Sequence, residues 1–369
     1  MHSQIVEHLR SCADKGRFPH SLLFTEREGY GAIALVLEVL KYLFCREGGN
    51  GADGLEAEQT RKKIERLVHP DIHFVFPVNT STLVGKEKRP EVEEFYPLWR
   101  ELVAENPYFS EQELYERLGI ENKQGTIGVA EANFILRKSM LSPYEGDKRA
   151  FVVLFPERMN QEASNKLLKS VEEPLPGTYF FFISQNPHRI IPTIVSRCSL
   201  VEVSPLPAEE LAEALSKKSG IEREEALYWA ECAGGSYGKA LAMIKGGGNA
   251  ARNLELFHRM LSLAKQKDLP ALIVLSDELA AMAKEAQKQF CRDALEIVRK
   301  LFMLSCGVEK LAHISPGERE VYGSMAPLLS KEFFERSAAL FNSSIELLES
   351  NVNSKFIFCD MCNRFYFFV

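Results

Sequence analysis

Three short stretches of this 369-residue chain hold residue types from which chemistry could be built. The first is the turn Thr25-Glu26-Arg27-Glu28-Gly29-Tyr30-Gly31-Ala32-Ile33, which follows an apolar run and opens a helical pattern. A phosphate-binding loop belongs at such a place, because glycines let backbone N–H groups wrap a phosphate that a helix N-terminus faces. A working loop also needs a Lys for the β- and γ-phosphates and a hydroxyl for Mg²⁺. Here Gly29 and Gly31 are present, but Ala32 stands in the Lys position and Ile33 in the hydroxyl position. Glu26 and Glu28 add negative charge where phosphate would sit. The expectation is a strand–turn–helix junction that binds no nucleotide.

The second stretch is Leu154-Phe155-Pro156-Glu157, at the end of a strongly apolar run. An ATPase of the phosphate-loop class holds an Asp for Mg²⁺ at a strand end, with a further group to orient water. Only Glu157 is acidic here, so hydrolysis by this chain itself is not expected. The third is Ser196-Arg197-Cys198. Taken alone, Arg197 fits either a plain surface charge or an arginine finger, a guanidinium set against a neighbouring subunit's γ-phosphate. The residues themselves leave both readings open.

Other candidates are weaker. His69-Pro70-Asp71-Ile72-His73 offers ligand types, but the pattern reads better as a loop entering a strand. Cys359-Asp360-Met361-Cys362 is a lone pair of cysteines without a second pair or a nearby His, so no zinc site is expected and the thiols read as packed side chains. The Asp, Ser and His residues read as lacking a nucleophile-elbow pattern such as G-x-S-x-G, so no serine nucleophile is expected. The closing Phe365-Tyr366-Phe367-Phe368 reads as a packed helix end or a subunit contact.

The elements that must position these residues change character along the chain. Up to about residue 204, strand and helix signals alternate as in a parallel sheet covered by helices. Helices are expected over 4–15, 32–44, 91–119 and 160–173, and strands over 21–24, 73–78, 148–155, 179–184 and 200–203. Residues 46–58, with four glycines, read as loop, and 79–90 as a mobile polar stretch. After Pro205-Leu206-Pro207 the pattern is helical, and Gly246-Gly247-Gly248-Asn249 reads as a hinge or linker.

Composition bounds the rest. Apolar residues are 46% and charged residues 26%, the range of a folded soluble protein with two or three domains. With 45 Lys and Arg against 51 Asp and Glu, the formal net charge is -6, so any DNA contact should be local or shared with partners. MHSQIVEHLR lacks the apolar stretch of a signal peptide, and no apolar run is long enough for a transmembrane helix. Scattered cysteines at 12, 45, 198, 232, 291 and 306 suit a reducing cytoplasm.

Several of these stretches together resemble the clamp-loader subunits of bacterial DNA polymerase III, within the AAA+ superfamily, and most closely their delta-prime group. The resemblance rests on 18–24 (FPHSLLF), on Gly29 and Gly31, on 151–174 (FVVLFPERMNQEASNKLLKSVEEP) and on 179–198 (YFFFISQNPHRIIPTIVSRC). It covers about residues 1–205 well and the helical remainder only in general layout. It implies an α/β domain over 1–204 built on a parallel sheet of the AAA+ phosphate-loop type, with an insertion at about 79–125. A small helical lid over 205–248 and an all-α collar domain over 249–369 would follow.

The resemblance also implies roles. Arg197, within Ser196-Arg197-Cys198, matches the arginine finger that reaches an adjacent subunit's ATP site. Ser184 falls where active relatives place a polar nucleotide sensor, and Gly238 near the lid position where they carry an Arg. Many relatives have four cysteines after the first turn's helix; this chain keeps Cys45 alone, so no metal and no cofactor are expected. The chain then reads as a non-hydrolysing stator of the clamp loader. Its partners would be an ATPase subunit of the gamma/tau kind and a delta-like subunit, with the sliding clamp and primed DNA met through the complex. Two rivals stand beside it: a subunit with residual ATPase activity, Arg27 entering the site, and a purely structural scaffold of the ring.

Overall fold

In the computed structural model, residues 2–45, 55–81, 83–84, 91–121, 123–308, 314, 319–325, 329–350 and 352–368 are described. The chain divides into two compact units, Met1–Ile221 with Ala233–Leu241, and Glu222–Cys232 with Ala242–Val369. The segment expected as a separate lid, 205–248, is thus shared between them.

The first unit is built on five parallel strands, β1 (Ser21–Thr25), β2 (Ile72–Val75), β3 (Arg149–Leu154), β4 (Thr178–Ser184) and β5 (Ser199–Glu202), in the order β2-β3-β4-β1-β5. Strands covered on both faces read as continuous apolar runs, and β3 and β4 do so because every residue but Tyr179 is buried. Phe180, Phe181 and Phe182 are fully enclosed, with Phe151 stacked on Phe180 at 5.3 Å. Edge strand β5 is the exception and leaves Leu200 exposed.

Helices α1 (Ser3–Asp14), α2 (Ala32–Cys45), α3 (Leu55–Glu65), α4 (Tyr96–Glu105), α5 (Glu111–Leu118), α6 (Val129–Met140), α7 (Gln161–Glu172), α8 (Pro192–Val195) and α9 (Ala208–Ser219) accompany the sheet. Asn160 caps α7 by accepting from the Ala163 amide at 2.8 Å. Helix α3 begins inside the span read as loop, whose first part, 46–54, lies outside the described residues. So do 82 and 85–90 of the polar stretch. Helix α6 was not foreseen, although Ala132, Ile135 and Phe134 bury one face of it.

The second unit is helical and has its own core. After α10 (Arg223–Cys232) and α11 (Tyr237–Lys265) come α12 (Leu269–Ala280), α13 (Lys284–Ser305), α14 (Arg319–Met325), α15 (Lys331–Glu349) and α16 (Ser354–Phe368). Phe257, Phe341 and Phe365 form a ring cluster with centroids 5.9–6.1 Å apart. Buried Gln287 donates to the Ala280 and Met282 carbonyls at 2.9 and 3.0 Å and accepts from Ser354 Oγ at 2.7 Å. One amide side chain thereby terminates α12 and fixes the start of α16.

The glycine run corrects the sequence reading. Gly246, Gly247 and Gly248 lie within α11, which is continuous from Tyr237 to Lys265. Each glycine disfavours the helix by about 1 kcal/mol relative to Ala, but Leu256, Phe257, Met260, Leu261 and Ala264 bury a long face further on. Packing of that face overrides the local propensity.

His69, Asp71 and His73 lie where a loop becomes β2, as their pattern suggested. Asp71 accepts from the Tyr144 and Glu145 amides at 2.7 Å each, and His73 stacks on Phe151 at 5.3 Å. Burial, aided by Lys138, Arg149 and His69, pushes the His73 imidazole down to about 3. The folded state then binds fewer protons than the unfolded chain between pH 3 and 6.5, so this group's contribution is complete above 6.5 and lost as pH falls. His73→Phe should flatten that fall: denaturant titrations from pH 7 to 4 are expected to show wild type losing up to about 1.4 kcal/mol per pH unit more than the variant. Parallel curves would show that His73 is not the titrating group.

Candidate functional site

The carboxyl ends of parallel strands are where an open α/β sheet binds ligands, and the first two candidate stretches meet there. Leaving β1, the chain turns through Gly29 at φ +78° and Gly31 at φ +99°, values that favour glycine, and α2 begins at Ala32. The Gly31 and Ala32 amides both donate to Glu26 Oε2, at 2.9 and 2.8 Å. Two backbone donors of the kind a phosphate would take are therefore held by a carboxylate of the same turn. Burial raises the Glu26 carboxyl to about 7 against the lowering effect of those two amides, and Glu157 nearby pushes the same way as burial.

Ala32 and Ile33 point into the core, 0% and 5% exposed, so neither side chain offers a polar group to a ligand. Arg27, which a residual ATPase would need, is exposed.

Beyond β3, Phe155 takes a left-handed φ of +52°, an uncommon state for a bulky residue, and Pro156 opens a short turn that carries Glu157 back over the end of β4. Glu157 Oε2 accepts from Ser184 Oγ at 2.8 Å, and Oε1 accepts from the Gln185 and Asn186 amides at 3.0 and 3.1 Å. The Ser184 carbonyl accepts from the Glu26 amide at 3.0 Å. Ser184, expected as a nucleotide sensor, is fully buried and joins the ends of β1, β3 and β4. Gly238 is also drawn in: its amide donates to the Gly29 carbonyl at 3.0 Å, and Ser236 Oγ donates to the Glu28 carbonyl at 2.8 Å.

Ser236 revises another expectation. Gly234-Gly235-Ser236-Tyr237-Gly238 does carry the G-x-S-x-G spacing of a nucleophile elbow. Its hydroxyl accepts from the Lys239 amide at 3.2 Å and follows helix α10 rather than a strand, so it caps α11 instead of facing a base.

Ser196-Arg197-Cys198 lies apart from this network, between α8 and β5. Arg197 Nη1 donates to the Thr193 carbonyl at 2.9 Å, and Nε lies 3.0 Å from Glu172 Oε2, at the end of α7. The second contact is close but poorly aligned, with Nε itself lacking a well-formed hydrogen bond. The guanidinium lowers the Glu172 carboxyl. Ser196 Oγ donates to the same Thr193 carbonyl at 3.3 Å. Burial pushes the Cys198 thiol up to about 12, which keeps it protonated and unreactive. Only Arg197 offers charge outward.

All eight cysteines are free; Cys291 and Cys362 are buried, and Cys306 and Cys359 are exposed. Among the described residues, no group of His, Cys, Asp and Glu is placed to hold a metal, and no helix is long and apolar enough to cross a membrane.

Sequence reasoning did not find Glu172 as the partner of Arg197, nor Tyr108, whose ring lies against Gly31. Glu172 belongs to a quoted motif, but motif spacing carries no sign of the pairing. A hydrogen bond to a charged acceptor is worth about 1.5–3 kcal/mol, so Ser184→Ala should lower unfolding free energy by that amount in urea titration. A loss below a few tenths would show that Glu157 does not depend on the hydroxyl.

The profile of the family described as DNA polymerase III, delta subunit, matches residues 1–207. The chain is 26% identical over 212 residues to the DNA polymerase III subunit delta′ of Bacillus subtilis, across 58% of this chain and 50% of the relative. It is 34% identical over 224 residues to that of Haemophilus influenzae, across 60% and 54%. The chain thus spans about half the length of these curated relatives. A gamma-subunit-related protein of DNA polymerase III from Thermotoga maritima aligns over 98% of this chain and 99% of its own, with TM-score 0.43 and 16% identity. With its profile matched over more than half of its length, the chain belongs to the DNA polymerase III delta-subunit family, among the delta-prime clamp-loader subunits.

Proposed function

We propose that the chain is a non-hydrolysing stator of a clamp loader, cytoplasmic, with the segment 205–248 acting as lid and 249–369 as collar. The observation that carries this reading is the Glu26 carboxylate on the Gly31 and Ala32 amides, with Ala32 and Ile33 buried beside it. A phosphate would have to displace a carboxylate and would find neither the Lys nor the hydroxyl that a phosphate loop uses. This turn is a degenerate phosphate loop, and the chain needs no nucleotide or metal of its own.

Arg197 then serves in trans. A guanidinium is always charged and presents a fork of donors that matches phosphate oxygens. Partly exposed and backed by Thr193 and Glu172, it would be offered to the ATP site of a neighbouring gamma/tau-like subunit. A delta-like subunit would complete the ring, and the sliding clamp and primed DNA would be handled by the whole assembly. A purely structural scaffold is the second reading, favoured by the same contacts, since they engage Arg197 within its own chain.

ATP hydrolysis by the reconstituted complex separates the two. The isolated chain should be silent, and Arg197→Ala should lower the rate of an intact complex by about 10³-fold or more, the range of fingers in other ATPases and GTPases. An intact complex with undiminished hydrolysis would leave Arg197 structural and the chain a scaffold. Turnover by the chain alone would overturn the stator.

A further inference from the structure

Residues 91–121 form part of the span that resembles an insertion, and they are built rigidly. Trp99 of α4 packs against Phe74 at 4.5 Å and Phe76 at 5.5 Å. Helix α5 is pinned from the other side, where Arg158 donates from Nε and Nη2 to the two oxygens of Glu111 at 2.6 and 2.8 Å. Between the helices, Asn106 Oδ1 accepts from the Tyr108 amide at 3.1 Å, and Ser110 caps α5 by accepting from the Glu113 amide at 3.0 Å. Phe109 is buried in the core. The loop therefore has little freedom, and its tip is Tyr108.

Tyr108 meets the phosphate turn and the start of α11 at once. A Cβ built on Gly31 would overlap the ring edge, with Cδ1 only 2.8 Å away. A Cβ on Gly238 would overlap the Tyr108 carbonyl oxygen and lie 2.8 Å from Gly29 Cα. On the remaining side, Tyr108 lies against buried Tyr237 with ring centroids 4.5 Å apart. Direct bonds from Gly238 and Ser236 to the carbonyls of Gly29 and Glu28 close the junction.

We propose that residues 91–121 are a plug: Tyr108 wedges between the phosphate turn and the segment 233–241 and locks them together by protein contacts alone. Glu26 accepts from the Gly31 and Ala32 amides, while Tyr108 lies against Gly31 and Gly238 against Gly29. Gly238 is required because any side chain there would strike backbone on both sides. The plug gives the turn and the following segment one fixed arrangement held by contacts within the chain. This deepens the stator reading and rests on it only in treating the turn as a former phosphate site.

Amide hydrogen exchange on the full chain, without nucleotide or partners, tests the plug, so its outcome is independent of any role for Arg197. Tyr108→Ala should speed exchange at Gly31, Ala32 and residues 238–240 by about tenfold, equivalent to roughly 1.4 kcal/mol of local opening free energy, while β1 and β4 keep their protection. Gly238→Ala, which touches neither α4 nor α5, should loosen the same amides. If Tyr108→Ala instead loosens residues 96–118 and leaves 31–32 and 238–240 protected, Tyr108 merely packs its own loop and the proposal fails. Should that variant not fold, Gly238→Ala decides alone, and unchanged protection there overturns the plug.

Discussion

A helix that starts straight off the end of a strand leaves its first amides without intrahelical partners, and something must accept from them. In a nucleotide-binding domain the acceptor is a phosphate; here it is Glu26, five and six residues away in the same turn. That choice shapes the neighbourhood. A carboxylate drawn into this position is costly to keep charged, which is why the group rises to about 7 even with two amides favouring the ionised form. Once the amides are satisfied internally, nothing requires the turn to remain open, and other parts of the chain can close over it.

The same conversion from chemistry to mechanics is visible at β3 and β4. A strand-end carboxylate and a neighbouring hydroxyl are parts from which hydrolytic sites are made, yet Glu157 and Ser184 bond each other and two backbone amides. Their work is to tie adjacent strand ends into one rigid edge. Arg197 contrasts with them: of the residues singled out for chemistry, it keeps a charged group at the surface, steadied by one carbonyl and one loosely aligned carboxylate.

Much of the fold was legible because its physics is local. The runs that became β1, β3 and β4 are apolar throughout, and a covered parallel strand has no other way to read. Gly29 and Gly31 marked the turn, where both take the positive φ that favours glycine. What escaped depends on distance in sequence. Tyr108 is an ordinary aromatic until the fold sets it against Gly31, and Glu172 is one more acidic helix residue until α8 brings Arg197 beside it. The triple glycine misled for a related reason: a helix was inferred to stop from its weakest residues, whereas the packed face beyond them decides. Helix α6 was missed although its apolar spacing was present in the sequence.

The distribution of thiols has a practical side. Cys198, Cys291 and Cys362 are held protonated by burial, and the two exposed cysteines, Cys306 and Cys359, both lie in the helical unit. Maleimide chemistry attacks accessible thiolate. A fluorophore or cross-linker added to the unmodified chain will therefore attach most readily to the helical unit, whereas Cys12 and Cys45 of the sheet-bearing unit are only partly exposed.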